Sequence, residues 1–586
     1  MNTTIMTGRR RPPRRRKKPI IALLLLFAVS AAAVFFFWDK ERPNMSHETP
    51  EYMAKPHPIM IDGQWSEAAA LGDGDGLMIP LEIAQRLLGD GVHYESGSES
   101  IILTTATRVL HFKTGALDAT MNRKPFTLSF AAKKSEDGEL YLPFAPLKQL
   151  FGIQAEIGGQ SGIVTLHKPG DSLQKARVPE GDKAGSVEAR LRSGPGESYP
   201  IVEDLQGGTG LKIWGEEHDW YKAQSDEGFV GYVAKGDVSL TSIDRVPDAA
   251  ADEDEEPFVA WKLTGKKINL TWEAVYSANP DTGKIGELPG VNVVSPTWFE
   301  LVNGTGQIRS KADAGYSKWA RGRGMQVWGL FSNGFEPERT SQALADYETR
   351  LNMIQQLLAY AKTFRLQGIN IDFENVKTPD KDNLVQFVRE MTPLLHEQGL
   401  VVSIDVTPKS NSEMWSLFLD RGRLAESVDY MMLMAYDEHW ASSPVAGSVA
   451  SLPWAERSVR TLLEEDGVPK EKLILGMPLY TRLWTEKPDG NGGVKVTSKT
   501  MSMDSVRKLI QEKKLKPTLS EETGQHYVEF KEDGAVQKIW IEDELSIRKR
   551  AELVKKYDLA GAASWRRGFE TSDIWPALDE VLQSHP

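Results

Sequence analysis

The order of apolar and polar positions divides the chain into stretches with different periods. From Pro19 to Trp38 it reads PIIALLLLFAVSAAAVFFFW, an apolar run with no charge. As a helix rising about 1.5 Å per residue, such a run crosses a hydrocarbon layer of about 30 Å. Residues 39–56 are polar and proline-bearing, the composition of a tether. Between 57 and 170 one pattern occurs twice. Leu77-Met78-Ile79-Pro80-Leu81 leads into Ile83, Leu87, Leu88 and Gly89, and 63 residues later Leu140-Tyr141-Leu142-Pro143-Phe144 leads into Leu147, Leu150, Phe151 and Gly152. Each copy predicts a short strand, a proline at a helix start, an amphipathic helix and a glycine stop, with alternating strands after it. Residues 183–241 alternate in short runs around the turn Ser193-Gly194-Pro195-Gly196, which predicts a small β-barrel. An acidic linker covers 242–257.

From 258 to 586 strand-like runs alternate with helical periods. The strands are expected at 267–272, 291–297, 325–331, 368–374, 401–406, 430–436, 473–480 and 561–565. Helices near 341–364 and 382–397 carry apolar stripes. This alternation predicts the α/β class, a (β/α)8 TIM barrel, with a small α+β insertion at 495–543. The whole chain then reads as a basic tail (1–18), a transmembrane helix (19–38), a tether (39–56), an α+β repeat domain (57–170), a small β-barrel domain (183–241), the linker and the barrel.

Charge sharpens the N-terminal reading. Residues 1–38 hold eight basic residues and no acid, while the net charge of the chain is −12, which leaves −20 on the remainder. Basic residues ahead of the apolar run hold the N-terminus inside and put the rest outside the membrane. A cleaved signal peptide is the competing reading, since Ser30-Ala31-Ala32-Ala33 offers small residues. The apolar run continues past that point through Phe37, which favours a retained anchor. A body so acidic is a poor partner for nucleic acid. The absence of cysteine excludes a disulfide framework, thiolate metal sites and a cysteine nucleophile.

The candidate chemistry lies on Gly368-Ile369-Asn370-Ile371-Asp372-Phe373-Glu374. Alternation along a strand puts Asn370, Asp372 and Glu374 on one face, inside the barrel, and Ile369, Ile371 and Phe373 against the helices. Two carboxyls so close cannot both ionise comfortably, so one pKa is expected to rise. Glu374, nearest the mouth, is therefore the candidate proton donor, and Asp372 the carboxylate that stays ionised or shuttles between partners. Trp298, Phe331 and Trp484 fall near strand ends as candidate lining aromatics, and His439 reads as a loop residue.

The strand resembles the D-x-x-D-x-D-x-E signature of glycoside hydrolase family 18, the chitinase family. Met434-Ala435-Tyr436-Asp437 resembles that family's M-x-Y-D, Gly476-Met477-Pro478-Leu479-Tyr480-Thr481-Arg482 its G-x-P-x-Y-x-R, and Trp565 its tryptophan beneath the scissile sugar. The resemblance implies retaining, substrate-assisted hydrolysis of an N-acetylglucosamine-containing glycan. Glu374 would be acid and then base, with Asp372 and Tyr436 holding the 2-acetamido group. Asn370, Asp437, Tyr480, Arg482 and Trp565 would bind the sugar, and no metal or cofactor is called for. Two positions depart from the signature: Gln367 and Asn370 stand where the family has aspartates. Asn370 is expected to bond Asp372 without being able to take up its charge. The repeat at 57–170 resembles the N-terminal domain of copper amine oxidases. The order LRSGPG, DWYK, GYV in 187–233 resembles bacterial Src-homology-3-like domains, in which at least two of Trp214, Trp220 and Tyr232 are expected to be core. A tethered hydrolase carrying that module points to peptidoglycan and an endo-N-acetylglucosaminidase. Chitinase or another glycosaminidase is the alternative, and a catalytically weak glycan-binding wall protein the alternative of another class.

Overall fold

The structure, a computed structural model, describes residues 43–181, 185–248, 258–261, 265–489 and 493–583. The tail and apolar run expected at 1–38 lie outside the described residues. Among the described residues no helix is long and apolar enough to cross a membrane. The chain forms two compact units, one of residues 1–87 and 132–253, the other of 88–131 and 254–586.

In the first unit the two copies of the repeat meet directly. Strands Met78–Pro80 and Leu140–Pro143 pair antiparallel with Ile79 opposite Leu142, and each feeds a short helix, Leu81–Leu88 and Phe144–Phe151. Phe144–Phe151 stops at Gly152 with φ 71°, a left-handed cap that glycine adopts without a Cβ clash. A second sheet pairs Pro58–Ile61 parallel with Val164–His167 and antiparallel with Gln64–Ala69.

The small β domain is built on a seven-stranded sheet that recruits Ser172–Arg177 from ahead of the expected boundary and runs on to Arg245, into the stretch expected as linker. Its core is Ala176, Val178, Ala189, Leu191, Leu205, Leu211, Ala223, Val233 and Val238. Of Trp214, Trp220 and Tyr232 at least two are expected as core, but all three are half-buried, because small aliphatic side chains already fill so narrow an interior. Trp214 packs outward against Met60, Ile163 and Val230. The stretch expected as a free tether is also engaged. Ile201 donates its N–H to the Ser46 carbonyl, Glu48 donates to the Ile201 carbonyl, and Arg192 Nη1 donates to the Asn44 carbonyl at 2.8 Å.

In the second unit eight parallel strands close a barrel. They are β1 (Ile268–Glu273), β2 (Val293–Pro296), β3 (Gln326–Ser332), β4 (Gly368–Asp372), β5 (Val401–Val406), β6 (Tyr430–Met434), β7 (Leu473–Pro478) and β8 (Gly561–Trp565). Pairing runs β2-β1-β8-β7-β6-β5-β4-β3, and β3 returns to β2 through Val293 opposite Gln326. Ile369, Ile371 and Phe373 pack with Leu357, Phe387 and Val388 of the covering helices, as the alternation predicts. The insertion is a five-stranded antiparallel sheet with one helix, Met503–Lys513. It begins at Tyr480, earlier than expected, so the strand carrying Tyr480 and Arg482 belongs to it.

Residues 88–131 depart furthest from the expected division. Their antiparallel meander, from Val92–Glu95 to Lys124–Thr127, belongs to the barrel's unit and not to the repeat. Ile102 and Val109 join the barrel's apolar cluster, and His111 stacks on Tyr347 at 3.9 Å. Beneath that contact lies Arg350, fully buried. Its Nη2 donates to Glu95 Oε1 and to Glu390 Oε1, each at 2.6 Å, Nε donates to Glu390 Oε2 at 2.8 Å, and Nη1 donates to the Leu344 carbonyl. An arginine is tolerated there because its donors are met by two carboxylates and a backbone oxygen.

Candidate active site

The site forms at the C-terminal mouth of the barrel, where β4 ends at Asp372. Glu374, expected as the last residue of the strand, lies two residues beyond it and is held from β3's side. Asn333 Nδ2 donates to the Glu374 carbonyl at 2.7 Å, and the Glu374 N–H donates to Asn333 Oδ1 at 3.1 Å. This pair of bonds fixes the backbone of the carboxyl that would handle the proton.

Three carboxyls share a dry neighbourhood. Burial pushes Asp372 up to about 7. Burial, with the charges of Asp372 and Asp437, pushes Glu374 up to about 8. Asp405, on β5, is raised well above the usual carboxylate range, chiefly by burial and then by Asp372. Taking such groups out of water favours the neutral acid, and each like charge nearby adds to the effect.

Asn370 does not bond Asp372 as expected. Its Nδ2 donates to Asp405 Oδ2 at 2.8 Å, and its Oδ1 accepts from Ser403 Oγ at 2.9 Å. The reason is register: Asn370 lies opposite Ser403 on β5, and Ser403 and Asp405 share the inward face. Asp372 Oδ1 and Asp405 Oδ1 are both buried without a hydrogen-bond partner. Gln367 lies at the other end of β4, where Oε1 accepts from the Val327 N–H and Nε2 donates to the Arg365 carbonyl.

The remaining candidates converge on the same mouth. Tyr480 OH and Arg482 Nη2 both donate to Asp437 Oδ1, at 2.7 and 2.8 Å, although Asp437 is itself exposed. Arg482 also reaches the His439 carbonyl at 3.3 Å and Thr500 Oγ1 at 3.0 Å. Asp437 has φ 61°, in the left-handed region that Asp tolerates better than most residues. Trp565 is half-buried with its ring 6.0 Å from Trp272, and Trp272 meets Tyr436 edge-on at 6.5 Å. Tyr436 meets Tyr480 edge-on at 6.3 Å.

Trp298, Phe331 and Trp484 line nothing open. All three are buried, the first two in the apolar cluster behind the strands and Trp484 with its Nε1 donating to the Gly447 carbonyl. His439 is a loop residue whose Nδ1 lies 2.8 Å from the Ser448 carbonyl oxygen. Sequence reasoning missed Asn333, Asp405 and Ser403. Alternation within Val401-Val402-Ser403-Ile404-Asp405-Val406 could have found the last two, because polar residues at every second place on a barrel strand face inward.

Three family profiles match parts of the chain. Residues 328–570 match the profile of glycosyl hydrolases family 18. Residues 187–239 match the bacterial SH3 domain, and 60–166 the copper amine oxidase N-terminal domain. The chain is 27% identical over 287 residues to a Bacillus subtilis protein described as the uncharacterized glycosylase YvbX, covering 47% of this chain and 80% of that one. It is 27% identical over 241 residues to the putative sporulation-specific glycosylase YdhD of Bacillus subtilis, covering 41% of this chain and 56% of that one. It is 25% identical over 262 residues to the cortical fragment-lytic enzyme of Bacillus anthracis, covering 43% and 58%. The chain thus spans little more than half the length of the last two. Among solved structures, the C-terminal domain of a putative chitinase from Desulfitobacterium hafniense DCB-2 aligns at 22% identity with a TM-score of 0.49, covering 54% of this chain and 99% of that one. The protein is a glycoside hydrolase whose barrel matches the family 18 profile, and two stretches ahead of the barrel match the profiles of the other two families.

Proposed function

We propose that the protein is a membrane-anchored, extracytoplasmic endo-N-acetylglucosaminidase that cleaves β-1,4 linkages of peptidoglycan with retention. The observation that carries this reading is Glu374, held by its backbone at the barrel mouth and raised to about 8 beside a second carboxyl. A carboxyl with that pKa is protonated at neutral pH and can give its proton to a leaving glycosidic oxygen. Asp372 then faces the 2-acetamido group. The acetamide oxygen attacks the anomeric carbon as the glycosidic bond breaks and Glu374 protonates the departing oxygen. Asp372 stabilises the positive charge on the cyclic intermediate, and Tyr436 holds the acetamide. Glu374, now ionised, takes a proton from the water that opens the intermediate. Asp437, Arg482 and Tyr480 bind sugar hydroxyls, Trp565 stacks beneath the ring, and Asn370 braces the site through Asp405. The chemistry limits the cleaved position to an N-acetylhexosamine.

The cortical fragment-lytic relative and the SH3-like domain support peptidoglycan as the polymer. The charge asymmetry around residues 19–38 supports the anchor. Chitin is the second reading, favoured by relatives such as mouse chitotriosidase-1. The test is mass spectrometry of soluble products from purified peptidoglycan, with Glu374→Gln as control. N-acetylglucosamine at new reducing ends, absent with the variant, is the expected outcome. Cleavage of chitin oligomers alone would move the assignment to chitinase, and release from neither polymer would leave a binding protein.

A further inference from the structure

β5 carries two polar side chains inside the barrel, Ser403 and Asp405, both buried. Asn370 lies opposite Ser403 and Ile371 opposite Ile404. Continued by one place, the same register sets Asp372 beside Asp405, on neighbouring strands ~4.8 Å apart. Alternation puts both side chains on the inward face.

The bonds around this pair are unequal. Asp405 Oδ2 accepts from Asn370 Nδ2 at 2.8 Å, and the oxygen of that amide is taken by Ser403 Oγ at 2.9 Å. Asp405 Oδ1 and Asp372 Oδ1 are left buried with no hydrogen-bond partner. Trp272 Nε1, on β1, lies near enough to draw the Asp405 pKa down in part, yet it too is buried and completes no bond. Two ionised carboxylates cannot serve each other, since each only accepts. One proton between them makes one oxygen a donor and satisfies both. The pair then carries a single charge, which costs less in a buried site than two.

We propose that Asp405 is a positioning residue for Asp372, the two carboxyls holding one proton between their Oδ1 atoms. This role rests on the reading of Asp372 as the carboxylate that faces the acetamide. As positive charge grows on the acetamide, the proton stays with Asp405 and Asp372 carries the full negative charge. When the intermediate opens the proton is shared again, and none leaves the pair in the cycle. Asn370 cannot act in this way, because its amide has no proton to give up near neutral pH. Its part is to aim the Asp405 carboxyl through Nδ2. The group able to take up charge beside Asp372 therefore stands on β5, where β4 has an amide. Burial, and then Asp372, hold Asp405 well above the usual carboxylate range, as suits a carboxyl that keeps its proton. The other titratable groups facing Asp405 among the described residues are Glu374, beyond β4, and Tyr436, beyond β6.

Infrared difference spectroscopy across pH tests this on the full chain carrying Glu374→Gln, which removes the third carboxyl and turnover together. One carboxylic-acid band should disappear through about 7 as Asp372 ionises. Adding Asp405→Asn should raise that midpoint by about one pH unit, because an O–H donor stabilises the Asp372 anion more than an amide does. A midpoint that falls would make Asp405 a neighbouring anion, and one that stays would mean that no proton is shared; either overturns the proposal. With Glu374 intact, Asp405→Asn should lower kcat roughly tenfold to a hundredfold with KM within about twofold. The double variant Asn370→Asp/Asp405→Asn exchanges amide and carboxyl across one hydrogen bond. It should recover most of the rate and bring the midpoint back toward about 7. A double variant that folds, by near-UV circular dichroism, yet stays as slow as the single one would leave Asp405 only a brace and overturn the proposal. If the unaltered chain cleaves neither peptidoglycan nor chitin, the proposed function fails, while the infrared midpoint still decides whether the pair shares a proton.

Discussion

At the scale of single residues, the site's behaviour follows from the burial of Asp372, Glu374 and Asp405 beside one another. In the proposed mechanism turnover needs Glu374 protonated and Asp372 ionised. The profile of kcat/KM against pH should therefore rise through about 7, fall through about 8 and peak between, well above the range of ordinary carboxylates. Asp437 adds to the shift of Glu374, so Asp437→Asn should lower that pKa and move the alkaline limb to lower pH. An alkaline limb unmoved by the substitution would mean that another group sets it. Steady-state rates across pH 4–10 read both. Much of this was legible in the residues: the alternation of Asn370 and Asp372 on a barrel strand needed no structure, although Glu374 falls two residues past the strand's end. The partner of Asn370 was not legible. Which side chain an amide selects depends on the neighbouring strand's register, and Ser403 and Asp405 lie more than thirty residues further along the chain.

At the scale of elements, the eight barrel strands fall within about two residues of where the apolar runs put them, because most of the runs are apolar and lie between helical periods. The meander at 92–127 was legible as strands but not as the barrel's own cover. Apolar packing, ring stacking and a buried ion group attach it, and a lone glutamate at position 95 gives no sign that an arginine 255 residues away will meet it. Arg350→Ala would leave Glu95 and Glu390 buried without their cation. A loss of about 3–5 kcal/mol is expected, read as a lower denaturant midpoint of the barrel's unit. Replacing Glu95 with Gln should cost less, because Glu390 keeps both of its bonds to Arg350.

At the scale of the whole molecule, the three modules could be told apart from turns, repeats and charge. Their physical grouping could not, because a segment's own periodicity does not say which neighbour covers it. The acidic run before residue 258 looks like the place where the chain could be cut to free the barrel. The compact units divide elsewhere, with residues 88–131 grouped with the barrel and the flanking stretches with the first unit. The barrel's unit is therefore not one continuous stretch of the chain. A fragment starting at residue 258 would expose the apolar face that Ile102 and Val109 cover and would strand Arg350 with one carboxylate of its two. It should melt lower and aggregate sooner than the longer chain, and adding residues 88–131 in trans should recover part of the difference. A family able to exchange its N-terminal modules by cutting between domains would, in this protein, have to cut twice.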